Sequence, residues 1–329
     1  MKRVIGTVLF GLGVLFIVLA VGLPLYVAPA ATKLPYDLAR SVSQVEAKGA
    51  TFLQLKEGNP PTVYTGKDLR STTTVVPQPV LTNQLQKEFK DGAVVWTVYS
   101  STARVDNGEK ISESITEIAL DRVSGAPVTW SGAYVDDGTK TTTKFAGQIY
   151  KFPFNTEKKD YAFWDGELGA TAPPAKFEAT ETIGGVEVYR FKQTIPWFKT
   201  TSDASTVGFL LETFAKGATS GDIWYQNTRT LWVEPVTGQF LNVREQREQE
   251  LRDSKGGKTT LLRADFSYTK ETQDNSVDGA KSNKTQIQAV SLYAPIGLGL
   301  LGIILVVVGL LMARRPRGYS AEHQAEGAF

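Results

Sequence analysis

The chain contains no cysteine and a single histidine, His323. Without cysteine there are no disulfides, thiolate metal sites or cysteine nucleophiles, so any part lying outside the cytoplasm must hold its fold by its core alone. With its one imidazole in a terminal tail, the body of the chain cannot build a Ser-His-Asp triad, a histidine-ligated zinc or a histidine proton shuttle. No catalytic residue, metal ligand or cofactor is read from the sequence, and the expectation is a non-enzymatic protein. An excess of either charge is also lacking. Thirty-six Lys and Arg stand against 34 Asp and Glu, a balance that gives no reason to expect nucleic acid as a partner.

Long apolar runs are present, one near each end. Val4 to Val27 and Ala289 to Ala313 carry no charged side chain, and at ~1.5 Å rise per residue each crosses a ~30 Å hydrocarbon core. Lys2 and Arg3 precede the first run, and Arg314, Arg315 and Arg317 follow the second. Basic residues stay on the cytoplasmic side, so both termini read as cytoplasmic and the middle as extracytoplasmic. The expectation is a two-span plasma-membrane protein: tail 1–3, transmembrane helix 4–27, β-rich extracytoplasmic domain 30–271, juxtamembrane linker 272–288, transmembrane helix 289–313 and tail 314–329. Ala28-Pro29-Ala30 also satisfies a signal cleavage pattern, but the apolar run is longer than a signal core, which favours an uncleaved anchor. Thr7 and Gly11, with glycines at 297, 299, 302 and 309, offer a weak helix-association signal for a homo-oligomer.

Between the runs, helical spacing of Leu34, Leu38, Val42 and Val45, with Gly49 as a stop, predicts a helix leaving the membrane. Residues 81–92 predict a short helix with Thr82 as N-cap and Gly92 as stop, and residues 203–217 another, capped by Asp203 and ended by Gly217. Most of the remainder is strand-like: residues 93–105 are rich in β-branched and aromatic side chains, and Asp106-Asn107-Gly108 is a hairpin turn. The fold class is α+β, a β-rich domain between N- and C-terminal transmembrane helices. An internal echo, Asp121 before Val123-Ser124-Gly125 and Glu234 before Val236-Thr237-Gly238, reads either as two ordinary hairpin turns or as a duplicated β-unit.

Residues 145–164 hold seven aromatics, among them Tyr150, Phe152, Phe154, Tyr161 and Trp164. Such density means core or, alternatively, a groove for an apolar ligand. The candidate ligand-binding set is Tyr150, Phe152, Phe154, Tyr161, Trp164 and, from the 203–217 helix, Phe209, Leu210 and Phe214. Ser267-Tyr268-Thr269-Lys270 matches S-x-x-K but sits in a strand pattern without the companion motifs. Asp274, Ser276 and Asp278 imitate the start of a calcium loop that lacks its glutamate. Asp160, Asp165 and Glu167 lie beside aromatics, as glycosidase carboxylates do, at a frequency that chance explains.

Basic N-tail, first span ending in Leu-Pro, β-rich middle with the block from Phe152 to Asp165, and C-terminal span with a basic stop together resemble the PorA-type family of actinobacterial envelope proteins. The resemblance implies an envelope location and a family whose name comes from members assigned as cell-wall channels; it brings no catalytic residues. Two functions follow as expectations. The first is a membrane-anchored domain that binds or passes an apolar envelope component, with membrane lipid and an envelope lipid or glycolipid as partners. The alternative is a channel-forming, porin-like oligomer or a structural, partner-binding envelope module.

Overall fold

The computed structural model describes residues 2–56, 58–90 and 92–314; Arg315, Arg317 and His323 lie outside the described residues. In chain order, α1 (Lys2–Gly22) and α2 (Ala28–Ala31) precede the strands β1 (Ser41–Gln54) and β2 (Thr62–Pro77). Helix α3 (Pro79–Phe89) leads into β3 (Ala93–Arg104) and β4 (Lys110–Asp121), followed by the short β5 (Tyr134–Asp136), β6 (Lys140–Thr142) and β7 (Tyr161–Ala162). Then come β8 (Pro174–Ile183), β9 (Val186–Lys199), α4 (Ala204–Phe214), β10 (Gly221–Val233), β11 (Phe240–Asp253) and β12 (Lys258–Tyr268). Helices α5 (Lys270–Gln288) and α6 (Ala294–Ala313) complete the described chain. It divides into two compact units, one made of the two ends of the chain and the other of Thr32–Lys284.

In the terminal unit α1 packs on α6. A Cβ added to Gly6 would stand 2.9 Å from the Gly309 carbonyl oxygen, and one added to Gly13 would stand 2.7 Å from that of Gly302. Glycine lets the two backbones touch at these points, as in close-packed membrane helices. Gly302 and Gly309 are therefore partners within the chain, whereas Gly11 faces open space and Thr7 donates to the Arg3 carbonyl at 3.0 Å. The spacing that matters is seven residues on each helix, which brings a residue back to the same face after two turns. The remaining faces expose Val4, Val18, Leu300 and Leu311. Lys2–Ala31 and Lys270–Ala313 both contain stretches long and apolar enough to cross a membrane.

The second unit is an open twelve-stranded antiparallel sheet, ordered β6-β5-β4-β3-β2-β1-β12-β11-β10-β9-β8-β7. It is a meander whose long first and last strands pair at the centre, leaving the shortest strands at the edges, where little backbone is left unpaired. The sheet curls. Val94, Trp96 and Ile118 on β3 and β4 pack against Tyr150, Phe154 and Trp164, while Phe191 and Leu231 on β9 and β10 pack against Phe152, Tyr161 and Phe163. One segment, residues 145–164, thus fills the inner face from both wings. Helix α4 covers the inner face farther along, against Leu251 and Leu261, and α5 lies on the other face, with Val277 and Ala280 buried against Val186, Val188 and Leu241.

Three local expectations are corrected. The stretch predicted as a helix from Leu34 to Gly49 is largely β1, whose pairing with β2 and β12 outweighs a helical spacing of apolar residues. Gly49, at φ +59, sits where the register slips between Ala47 and Thr51, and its N–H donates to Asp68 at 2.9 Å. It marks a β-bulge and not a helix stop. Residues 272–288 form most of α5 and not a linker; their polar composition hides the two apolar positions that dock the helix on the sheet. Helix α3 begins at Pro79, and Thr82 lies inside it, its hydroxyl accepting the Val95 N–H at 2.9 Å. Helix α4 agrees with its signals, since Asp203 accepts from Thr206 N at 2.7 Å and Gly217 follows at φ +76.

Candidate functional site

The two echoing turns have one design. In the first, Asp121 Oδ1 accepts from Ser124 N and Ser124 Oγ, each at 2.7 Å, and Gly125 N donates to Asp121 O at 2.9 Å. In the second, Glu234 Oε2 accepts from Thr237 N and Thr237 Oγ1, each at 2.8 Å, and Gly238 N donates to Glu234 O at 2.9 Å. An acidic side chain capping N–H groups ahead of a left-handed glycine is a self-contained turn. The turns also meet the same segment: Phe152 N donates to Gly238 O (2.9 Å), Phe154 N to Val123 O (3.4 Å), Asn155 N to Val236 O (3.1 Å) and Thr156 N to Pro235 O (2.7 Å). Residues 152–156 are clasped between them. Each turn further holds one end of the unit. Arg122 Nε donates to Leu34 O at 2.6 Å, and Lys284 Nζ stands 3.6 Å from Glu234 Oε1. The element order hairpin, helix, hairpin occurs in both halves of the sheet, but one turn follows β4 and the other joins β10 to β11, so the echo does not mark equivalent points of that order.

Inside the clasp Phe152 is fully buried, its ring 4.7 Å from Phe191 and 4.9 Å from Tyr161. Lys151 beside it is 5% exposed, and its Nζ lies 3.8 Å over the Phe154 ring with no hydrogen-bond partner among the described residues. Burial pushes this amine down to about 7, with Asp121 opposing.

A second feature lies on the inner face between the clasp and α4. Alternate residues of a strand share a face, so Tyr225, Asn227 and Arg229 on β10 stand in a row, opposite Gln249, Arg247 and Glu245 on β11. Gln193 on β9 extends the Arg229 rung. The 163–168 loop brings Asp165 over the row, where its Oδ2 accepts from Tyr225 Oη (3.1 Å), Asn227 Nδ2 (3.3 Å) and Arg229 Nη2 (3.2 Å). Arg229 also bonds Glu245 through Nε, Gln193 Oε1 at 2.7 Å and the Trp164 carbonyl at 3.2 Å. Those partners engage all three nitrogens of its guanidinium and offset the cost of burying the cation. Burial pushes the Glu167 carboxyl above its usual range, against the pull of Arg247. Burial also works against the Arg247 cation, but Tyr225, Glu245, Glu167 and Asp165 more than offset it. On the other wing the same face carries hydroxyls, with Ser71 opposite Thr102, Thr73 opposite Ser100, and Ser100 opposite Ser114. The inner face thus carries charges on one wing and hydroxyls on the other, with the buried apolar cluster of Ala47, Phe52, Leu69, Ala264 and Phe266 between them.

The residues expected to bind an apolar ligand divide among three clusters. Tyr150, Phe154 and Trp164 pack on β3 and β4; Phe152 and Tyr161 on β9 and β10; Leu210 and Phe214 on β11 and β12, while Phe209 is 48% exposed. Asp165 belongs to the charged patch on β10 and β11, Glu167 Oε1 accepts from Gln249 Nε2 at 3.2 Å, and Asp160 accepts the Phe177 N–H at 3.1 Å. Lys270 Nζ bonds Asp274 at 2.7 Å, and Asp274, Ser276 and Asp278 lie on α5, away from any loop geometry. Arg229, Glu245 and Arg247 are absent from the candidates that the sequence offered. Their alternation was the available signal: the odd-numbered side chains point inward.

Two relatives, each named Porin PorA, align with nearly the whole chain. The protein from Corynebacterium resistens is 24% identical, covering 96% of this chain and 98% of its own length, and that from Corynebacterium amycolatum is 26% identical, covering 94% and 98%. Among solved structures, a putative MaoC domain dehydratase from Chloroflexus aurantiacus covers 81% of this chain and 90% of its own at 10% identity and a TM-score of 0.15, which has no bearing on the fold. The family described as Porin PorA matches residues 5–311, and the chain belongs to it.

Proposed function

We propose that this protein is a porin-type component of the cell envelope, held in a membrane by α1 and α6 and conducting small hydrophilic solutes as an oligomer. The family match over residues 5–311 carries this reading. Physical features support it. The exposed apolar faces of α1 and α6 are costly in water and need lipid or a partner. Lys2, Arg3 and Arg314 at the ends of the two runs favour cytoplasmic termini. The sheet is open at β6 and β7, and its unpaired edges cannot face hydrocarbon, so lipid contact falls to the helices. One copy therefore lacks a closed lipid-facing barrel, and several copies are needed to enclose a path. The charged patch on β10 and β11 and the hydroxyls on β2 to β4 are two water-compatible surfaces for such a path. The eight candidate apolar-ligand residues divide among three packed clusters, with Phe209 exposed, so lipid carriage has less support.

The test is planar-bilayer recording of the full-length protein, with stoichiometry fixed by chemical cross-linking. Discrete conductance steps from a species of more than one copy are expected, with ion selectivity shifted by Arg247→Gln. Folded, inserted protein that never conducts overturns the reading.

A further inference from the structure

On the inner face, Asn227 and Arg247 are direct cross-strand partners. Both carry a buried polar atom without a partner among the described residues: Asn227 Oδ1, an acceptor, and Arg247 Nε, a donor. The two are left unsatisfied in different surroundings. Arg229, one rung away, engages all three guanidinium nitrogens with Glu245, Gln193, Asp165 and a carbonyl. Among the described residues Arg247 has only Glu167 as an ion-pair partner, at 3.9 Å, beyond hydrogen-bond reach, and its ring contact with Tyr225 is long at 5.7 Å. Its side chain keeps 35% of its surface accessible, so part of the guanidinium can be reached by a small molecule. Asn227 is 1% exposed, held in place by its donation to Asp165.

Buried donors and acceptors are almost always satisfied, and a free pair on one rung asks for a molecule that supplies the complement of each. A guanidinium with free N–H groups fits an oxyanion, which its planar fork binds in two-point fashion. A free carbonyl oxygen beside it fits a hydroxyl on the same molecule. We propose that the Asn227–Arg247 rung binds a small hydroxylated oxyanion, its anionic oxygens on Arg247 and its hydroxyl donating to Asn227 Oδ1. Hydrogen phosphate and small hydroxycarboxylates share this chemistry. Glu167 is the competitor that the ligand displaces, and its carboxylate charge limits affinity. The inference rests on the geometry of this charged patch and holds whether or not the protein conducts.

The test is calorimetric titration of the full-length protein in detergent with inorganic phosphate, lactate and acetate, at ionic strength matched with chloride. Saturable binding of phosphate or lactate is expected, with acetate, which lacks a hydroxyl, weaker than lactate. Phosphate alone or lactate alone identifies which source the site takes. Arg247→Gln weakens binding by about tenfold or more, while Arg263→Gln, on the exposed side of β12, leaves it unchanged. No saturable heat with phosphate or lactate, or wild-type binding by Arg247→Gln, overturns the proposal. Should Arg247→Gln fail to fold by circular dichroism, Glu167→Gln decides: severalfold tighter binding is expected, and equal or weaker binding overturns it.

Discussion

The two turns that clasp residues 152–156 are alike in chemistry and unlike in what they press on. In the Asp121 turn, a Cβ on Gly125 would come within 2.6 Å of Lys151 Cγ, part of a flexible side chain. In the Glu234 turn, a Cβ on Gly238 would lie 2.0 Å from the Phe152 carbonyl oxygen, part of the backbone. The first turn leans on the stem of a buried side chain, and the second on backbone, which yields less still. Similar local sequence therefore gives unequal mechanical roles, because the role is set by the partner and not by the turn.

The largest predicted effect breaks the rigid side. Gly238→Ala adds a methyl group at φ +72 and against backbone, and is expected to cost on the order of 4 kcal/mol or more, or to prevent folding. Gly125→Ala, at φ +67, meets the backbone penalty of a left-handed alanine, about 1–2 kcal/mol, plus the cost of displacing the buried Lys151 stem, and is expected to lose less than Gly238→Ala. Thermal unfolding of both variants followed by near-ultraviolet circular dichroism checks the ordering. Equal losses would mean that the two contacts are equally stiff.

Lys151 sharpens the comparison through pH. Its amine is held down to about 7 in the fold, by burial first and with Asp121 opposing, and titrates near 10.5 in the unfolded chain. Between these values the unfolded state binds more protons, so this group makes stability rise with pH from about 7 to about 10.5 and contributes no slope below. Lys151→Met removes that slope and stabilises the protein at pH 7 by roughly 2–4 kcal/mol, a figure that unfolded-state structure would reduce. Denaturant unfolding at pH 7 and pH 9.5 is the measurement. A variant with the wild-type slope would place the proton elsewhere.

The sequence shows the parts of this arrangement better than their meeting. Apolar runs, the strands around Asp106-Asn107-Gly108 and the Asp203-capped helix follow from local rules, since cap, turn and alternation all act within a few residues. The echo was likewise visible as two turns. That they face each other across residues 152–156 depends on a sheet curling until β4 and β10 reach one segment, a property of strand order that no window of sequence contains. The charged patch was hidden for a related reason. Arg229, Glu245 and Arg247 resemble any solvated strand until Asp165, about sixty residues upstream of Arg229, is seen to cover them. Helix α5 escaped because its docking face needs only Val277 and Ala280 among small polar neighbours. Misreadings cluster where a long-range partner decides between local alternatives.

The smallest effect separates the turns by their hydroxyls. Thr237 is 2% exposed, and its Oγ1 both donates to Glu234 Oε2 at 2.8 Å and accepts from Gln239 N at 3.3 Å. Thr237→Ala leaves a fully buried carboxylate with one bond fewer and no water to replace it, a loss of about 1.5–3 kcal/mol. Ser124 is half-buried beside a half-buried Asp121, whose Oδ1 keeps the Ser124 and Val123 N–H donors at 2.7 and 3.1 Å when the hydroxyl is gone. Ser124→Ala is therefore expected to cost about 0.5–1 kcal/mol. Thr237→Ser restores the hydroxyl without the methyl group, and recovery of most of the Thr237→Ala loss would assign it to the hydrogen bond. Failure to recover would assign it to packing, and the stiffness of the second turn would then come from the core beneath it and not from its acidic cap.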